Sequence, residues 1–300
     1  MSLRVVAAIA AVLLAAACTG KGDKAPPSAQ APGSPPTNAP GRTSNVNLPP
    51  PSSALPPPAS ATAPPPSAAP APQVPSAAGG PASASNVPAA RWRAVLIAGD
   101  NNSPAFDNGV EALRDKLTAR GVQSIKVLSS NPSRAIGAVQ LANAGNVRTA
   151  IRGMSGDACL AYVTSHGEAK GFFLRPDRKF FEPSMMEAAL AGCGNAPTVV
   201  IVSACHSGTF MTNEMRKPNR VILTAAARDR TSFGCGSTDL YTYYDQCLLR
   251  SFDQAATFRD LASLTRACVE NLEKTLSIKA PSDPQNYVGP AVADLRIPGK

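Results

Sequence analysis

Apolar residues fall into five short runs between positions 94 and 226, and the stretches between them repeat apolar positions at three- and four-residue spacing. The run at 94–100, AVLIAGD, has no polar alternation, as expected of a strand covered on both faces of a parallel sheet. A helix is predicted next. Asn108 and Glu111 stand at capping-box spacing, Val110, Leu113 and Leu117 share one face, and Gly121 ends the segment. Residues 125–128 read as a second strand, 146–154 as a short helix, 158–164 (ACLAYVT) as a third strand and 182–190 as a helix. Residues 198–204 (TVVIVSA) and 220–226 (RVILTAA) give a fourth and a fifth strand, and helical patterns follow near 241–252 and 258–276. Strands alternating with helices predict an α/β layered domain.

Composition confines that domain to the second part of the chain. Twenty of the thirty prolines lie between positions 25 and 90, where Arg42 is the only charged side chain, whereas all fifteen aromatic residues lie at Trp92 or beyond. Such a segment buries too little apolar surface to offset about 1 to 2 kcal/mol of backbone ordering entropy per residue. The folded domain is therefore expected over 91–300. The formal charge of +9 divides into +3 before position 91 and +6 after it. Lys and Arg are scattered, without a run or an aromatic-interleaved stripe, so nucleic acid is not the expected partner. No repeat of 20 to 50 residues is present, which excludes a solenoid or propeller.

The first residues carry Arg4, an apolar run over 5–14, and Ala15, Ala16 and Ala17 before Cys18. This pattern predicts an export signal over 1–17, since the apolar run is shorter than the roughly 20 residues a spanning helix needs. The small residues ending in Cys18 resemble the bacterial lipobox, which implies a lipid on that thiol and a membrane anchor. Thr19, standing where aspartate would retain a lipoprotein inside, points to the outer membrane or periplasm. Ala15 and Ala17 also fit ordinary A-x-A cleavage, which gives a soluble secreted protein instead. With a lipidated Cys18, the Pro/Ala/Ser-rich stretch up to position 90 becomes an extended, disordered tether.

Two of the predicted strands end in reactive side chains. The third runs into Ser165, His166 and Gly167, and the fourth into Cys205, His206, Ser207 and Gly208. Ligands of open parallel sheets bind beyond the carboxyl ends of the strands, where these residues fall. A thiol of pKa about 8.5 is only a few per cent thiolate at neutral pH, so a nucleophilic cysteine needs a base, and histidine serves that purpose.

The motifs TSHG at 164–167 and SACHSG at 203–208, 39 residues apart, resemble those of the legumain-type cysteine peptidases, which share a structural clan with caspases and gingipains. VLIAGDN at 95–101 and ILTAA at 222–226 extend the resemblance over most of 92–290. It implies a caspase-like domain with a mostly parallel six-stranded sheet between helices. It further implies His166 as catalytic histidine, Cys205 as nucleophile, and Gly167 with the Cys205 amide as oxyanion hole. Peptides or proteins are the implied substrates, cut or, when an amine replaces water, joined; no metal or organic cofactor is implied.

Around the residue preceding the cut bond, the same resemblance places Asp107, His206 and Asp239, where legumains carry an arginine and two acids. Two carboxylates suit a lysine or arginine better than an asparagine amide. Asp107 also suits a helix N-cap. Zinc on His166, Cys205 and His206 is disfavoured, because adjacent residues at a strand end face opposite ways. A catalytically silent, surface-tethered binding protein on the same scaffold is the alternative function. Among the other cysteines, Cys159 and Cys193 are expected at one end of neighbouring strands. Cys235 and Cys247 could close a short loop, but five cysteines, Cys268 among them, allow many pairings and the sequence does not choose one.

Overall fold

The computed structural model describes residues 86–300, so the expected export signal, Cys18 and nearly all of the expected tether lie outside the described residues. Ordered packing starts slightly before position 91. Val87 and Ala89 rest on the core, and the Trp92 indole N–H donates to the Val87 carbonyl at 3.2 Å. Strand β1 (Trp92–Ala98) leads to helix α1 (Pro104–Ala119), strands β2 (Ser124–Ser129) and β3 (Gln140–Leu141), and helix α2 (Ala144–Arg152). Strand β4 (Ala158–Thr164) is followed by the short β5 (Gly167–Glu168), β6 (Gly171–Leu174) and β7 (Lys179–Phe181), then helix α3 (Pro183–Leu190). Strands β8 (Thr198–Ser203) and β9 (Arg220–Thr224), helices α4 (Tyr243–Gln254) and α5 (Phe258–Thr275), and strand β10 (Gln285–Val288) complete the domain.

The main sheet has seven strands rather than six, in the order β10-β9-β8-β4-β1-β2-β3. All neighbours are parallel except β10, which runs antiparallel to β9. The continuous apolar runs have the predicted cause. Along β1, Ala94, Leu96 and Ala98 join the core shared with α1, α4 and α5, while Val95 and Ile97 join the core shared with α2 and α3. Helices thus cover both faces in a three-layer α/β arrangement, and each fully buried Leu, Ile or Val contributes roughly 1.5 to 3 kcal/mol. β5, β6 and β7 form a separate antiparallel sheet that the sequence pattern did not predict.

Helix starts follow local chemistry. α1 begins earlier than predicted, because Ser103 is its N-cap, accepting the Ala105 N–H at 3.2 Å, and Pro104 occupies the first turn. Asn108 and Asp107 are therefore interior residues of α1 and neither is a cap. Thr257 and Asp260 form a capping box at the start of α5. Cys159 and Cys193, at one end of β4 and β8, are disulfide-bonded, a pairing that the sequence left open. Cys247 is bonded to Cys268, not paired with Cys235, because the packing of α4 against α5 brings their Cα atoms to 5.6 Å. No helix among the described residues is long and apolar enough to cross a membrane.

Candidate active site

β4 and β8 are neighbours, with Thr164 registered beside Ser203. The ladder runs one step further, as the Ser165 N–H donates to the Ser203 carbonyl at 3.0 Å. Beyond it the two chains stay in contact. A Cβ on Gly167 would lie 2.3 Å from the Cys205 carbonyl oxygen and 2.9 Å from Ala204 Cβ, so only glycine fits between the two strand ends. The segments that carry His166 and Cys205 thus abut at the carboxyl edge of the sheet.

The loop carrying His166 is held from two sides, by Phe173 of β6 and by Phe106 of α1. Its carbonyl accepts the Phe173 N–H at 2.8 Å, and Ser165 Oγ donates to the Phe173 carbonyl at 2.7 Å. Its imidazole meets Phe106 of α1 edge-on, with ring centres 5.2 Å apart. The β5–β7 sheet is itself tied to the end of β1. Arg175 donates to both oxygens of Asp100, at 2.9 and 3.0 Å, and its amide donates to the Gly99 carbonyl. Asp100 is fully buried, so this two-pronged ion pair fixes the hairpin against the strand that sits beside His166.

Cys205 is only 1% exposed. Residues 226–233, leaving β9, cross over it. The Ser232 N–H donates to Cys205 Sγ at 3.3 Å, and Sγ lies 3.5 Å from the Ser232 carbonyl oxygen. His206 adopts the left-handed conformation, φ 56°, which costs a non-glycine residue about 1 to 2 kcal/mol. That backbone lets it grip the same segment: its N–H donates to the Arg230 carbonyl at 2.8 Å and its Nδ1 lies 3.0 Å from the Arg228 carbonyl.

The three residues expected around the substrate side chain have separate partners. Asp107 accepts from Ser129 Oγ at 2.7 Å and sits 3.7 Å from Arg134, on the β2 side of α1. Burial pushes its carboxyl above the usual carboxylate range, while Ser129 and Arg134 partly oppose this. Two strands separate β2 from β8, a spacing of about 14 Å between Ser129 and the Cys205 strand end. His206 faces the Arg228 carbonyl, and Asp239 accepts the Gly236 N–H at 2.7 Å within its own turn. No hydrogen bond or ion pair joins any two of the three. Asp239 stays near the strand ends, since its loop is held to α1 by Ser103 Oγ, donating to the Gly236 carbonyl, and by Asn108, donating to the Leu240 carbonyl.

Several contributors escaped the sequence reading. Ser232, Phe106, Arg175 and Asp100 are brought to the strand ends by tertiary contacts, although Asp100 directly follows a strand end in the sequence. Beneath the site, Asp245 at the start of α4 is fully buried and accepts from Thr164 Oγ1 at 2.6 Å. Desolvation raises its pKa, with its hydrogen bonds to Thr164 and its neighbours opposing the shift. Among the described residues no group of three or more His, Cys, Asp or Glu side chains is disposed to hold a metal ion.

A mostly parallel sheet thus presents a histidine and a cysteine at adjoining strand ends. Residues 134–274, just under half of the chain, match the peptidase C13 family, the legumain family, and this span contains both His166 and Cys205. Over that span the chain is similar to legumain-type cysteine peptidases, and protein or peptide substrates go with that family. Among solved structures, caspase-1 from Spodoptera frugiperda aligns at 13% identity over 66% of this chain and 86% of its own, with a TM-score of 0.46. No curated protein matches the chain.

Proposed function

We propose that the protein is an exported cysteine endopeptidase acting through Cys205 and His166. The observation that carries this reading is the contact of Gly167 with the Cys205 carbonyl, which joins the two strand-end motifs into one site. His166 takes the thiol proton, and Sγ attacks the substrate carbonyl carbon. The resulting oxyanion is received by the Gly167 and Cys205 N–H groups. The intermediate collapses as the imidazolium returns the proton to the departing amine, leaving a thioacyl-enzyme. Water, deprotonated by the same imidazole, then hydrolyses it, and an amine in its place would form a new peptide bond. No cofactor enters any step. Asp239 is the pocket acid placed to meet a basic side chain before the cut bond, with Asp107 engaged at β2 and His206 on the strap over the thiol. Export with a lipid on Cys18 and a tether up to position 90 would present the domain at a membrane surface.

Digestion of a peptide library by the purified mature protein, with Cys205→Ala and His166→Ala in parallel, tests the assignment. Cleavage is expected in the wild type and a loss of at least about a thousandfold in either variant. Cleavage untouched by both substitutions would refute it.

A second reading rests on the burial of Cys205. A thiol covered by Ser232 suits a tethered binding protein that keeps the scaffold without the chemistry. A library left intact by the wild type, with Cys205 alkylated no faster at pH 6 than an ordinary thiol, would favour it.

A further inference from the structure

The final residues of β4 and β8 both send a hydroxyl into one buried cluster. Thr164 Oγ1 donates to Asp245 Oδ2 at 2.6 Å. Ser203 Oγ lies 3.3 Å from Thr242 Oγ1, and Thr242 Oγ1 accepts the Asp245 N–H at 3.0 Å. Thr164 is two residues before His166, and Ser203 two before Cys205. Cys205 shares a core cluster with Phe106, Tyr162 and Tyr244, and His166 lies against Phe106, so the cluster and the reactive pair occupy the same face of the sheet.

The side chains around Asp245 supply no cation. Its titratable neighbours are the phenols of Tyr162, from β4, and Tyr244, from α4; the rest are hydroxyls. The Tyr162 phenol lies against the Asp245 carboxyl, and the Tyr244 phenol oxygen is buried without a hydrogen-bond partner. α1 makes room for the group by carrying glycine: a Cβ on Gly109 would stand 2.9 Å from the Tyr162 hydroxyl and 3.3 Å from Asp245 Oδ2. A carboxyl in such surroundings works against folding stability, and an apolar residue there would pack with less penalty. Its geometric effect is to anchor the end of β4 through Thr164 to the start of α4, where Thr242 also meets Ser203 at the end of β8.

We propose that Asp245 is a positioning residue for the Cys205–His166 pair, holding the ends of β4 and β8 in the register that lets imidazole and thiol exchange a proton. The proposal rests on the peptidase reading of that pair. It predicts an effect on the chemistry of the thiol, separable from any effect on folding. Asparagine keeps an oxygen for Thr164 to donate to, whereas alanine keeps none.

The test is the rate of Cys205 alkylation by iodoacetamide at pH 6 and at pH 9, followed by peptide mass spectrometry on the full mature protein, with the Tm of each variant. The ratio of the two rates reads proton exchange with the imidazole and cancels differences in access. Asp245→Ala and Thr164→Val are each expected to lower the ratio about tenfold or more, and Asp245→Asn to keep it within about threefold of wild type. Thr164→Val replaces a hydroxyl by a methyl of similar size, so it serves if Asp245→Ala fails to fold. A lowered Tm with an unchanged ratio in Thr164→Val and in Asp245→Ala would make Asp245 scaffold only and overturn the proposal. His166→Ala separates the two levels. A ratio that falls in His166→Ala but not in the Asp245 and Thr164 variants defeats the proposal alone, and a ratio unchanged in His166→Ala defeats the peptidase reading with it.

Discussion

The β4–β8 pair is secured differently at its two ends. At the amino end, a disulfide joins Cys159, the second residue of β4, to Cys193, just before β8. At the carboxyl end there is no covalent tie: Gly167 abuts the Cys205 carbonyl, and hydroxyls from Thr164 and Ser203 reach the cluster around Asp245. A covalent link resists separation of the strands without fixing side-chain geometry at the far end, some six residues away. Close backbone packing and directed hydrogen bonds set distances there to fractions of an ångström, which proton exchange between imidazole and thiol requires. On the proposed peptidase reading, the amino end serves folding stability and the carboxyl end serves reactivity.

The largest test of that division is Gly167→Ala. Its methyl has no space beside the Cys205 carbonyl, so the strand ends must separate, and peptide cleavage is expected to fall by about 100- to 1000-fold, or roughly 3 to 4 kcal/mol of transition-state stabilisation. Near-normal specificity constants would mean that the contact does not set the reactive geometry. The opposite end should behave in the opposite way. Removing the disulfide in Cys159→Ala/Cys193→Ala should cost about 2 to 4 kcal/mol in denaturant unfolding while leaving the specificity constant of the folded protein within about threefold. A large loss of activity without loss of stability would erase the distinction.

A smaller effect is expected where the hairpin meets β1. Arg175→Ala leaves the Asp100 carboxylate buried without its ion-pair partner, held only by the Asn102 N–H, and since Arg175 is itself partly exposed, about 2 kcal/mol of stability should be lost. Equal stability would show that Asp100 is reached by solvent. The smallest effect concerns pH. The Asp245 carboxyl has a raised pKa in the folded protein, so its contribution is fully present below the unfolded value of about 4 and is lost as pH rises through the folded value. Wild type should therefore lose stability relative to Asp245→Asn as pH rises above about 4. A stability difference that stays flat, or rises with pH, would place the group in a more polar setting.

Sequence legibility also divides along these lines. β1, β4, β8 and β9 were readable because helices cover both faces, which forces continuous apolar runs. The two strand-end motifs were readable because histidine occurs only twice in the chain and each motif follows such a run. The strands of the β5–β7 sheet, only two to four residues long, show no such period, and β10 is half exposed with mixed polarity. The start of α1 was legible in Ser103 followed by Pro104, but the better-spaced Asn108 and Glu111 drew the prediction inward. Cys268 was reachable only through the packing of α4 on α5. Asp245 looks in sequence like an ordinary acid in the first turn of a helix, where it would be solvated. Its burial against Thr164 is a property of the assembled sheet.

The central claim is that Cys205 attacks a carbonyl with His166 as its base, and covalent capture tests it most directly. The purified protein is treated at pH 6 with a basic peptide bearing a carbonyl-directed, thiol-trapping warhead, and the adduct is located by mass spectrometry. The account predicts one equivalent bound at Cys205 in the wild type and none over the same time in His166→Ala. Capture at another residue, or equal capture in His166→Ala, would contradict it.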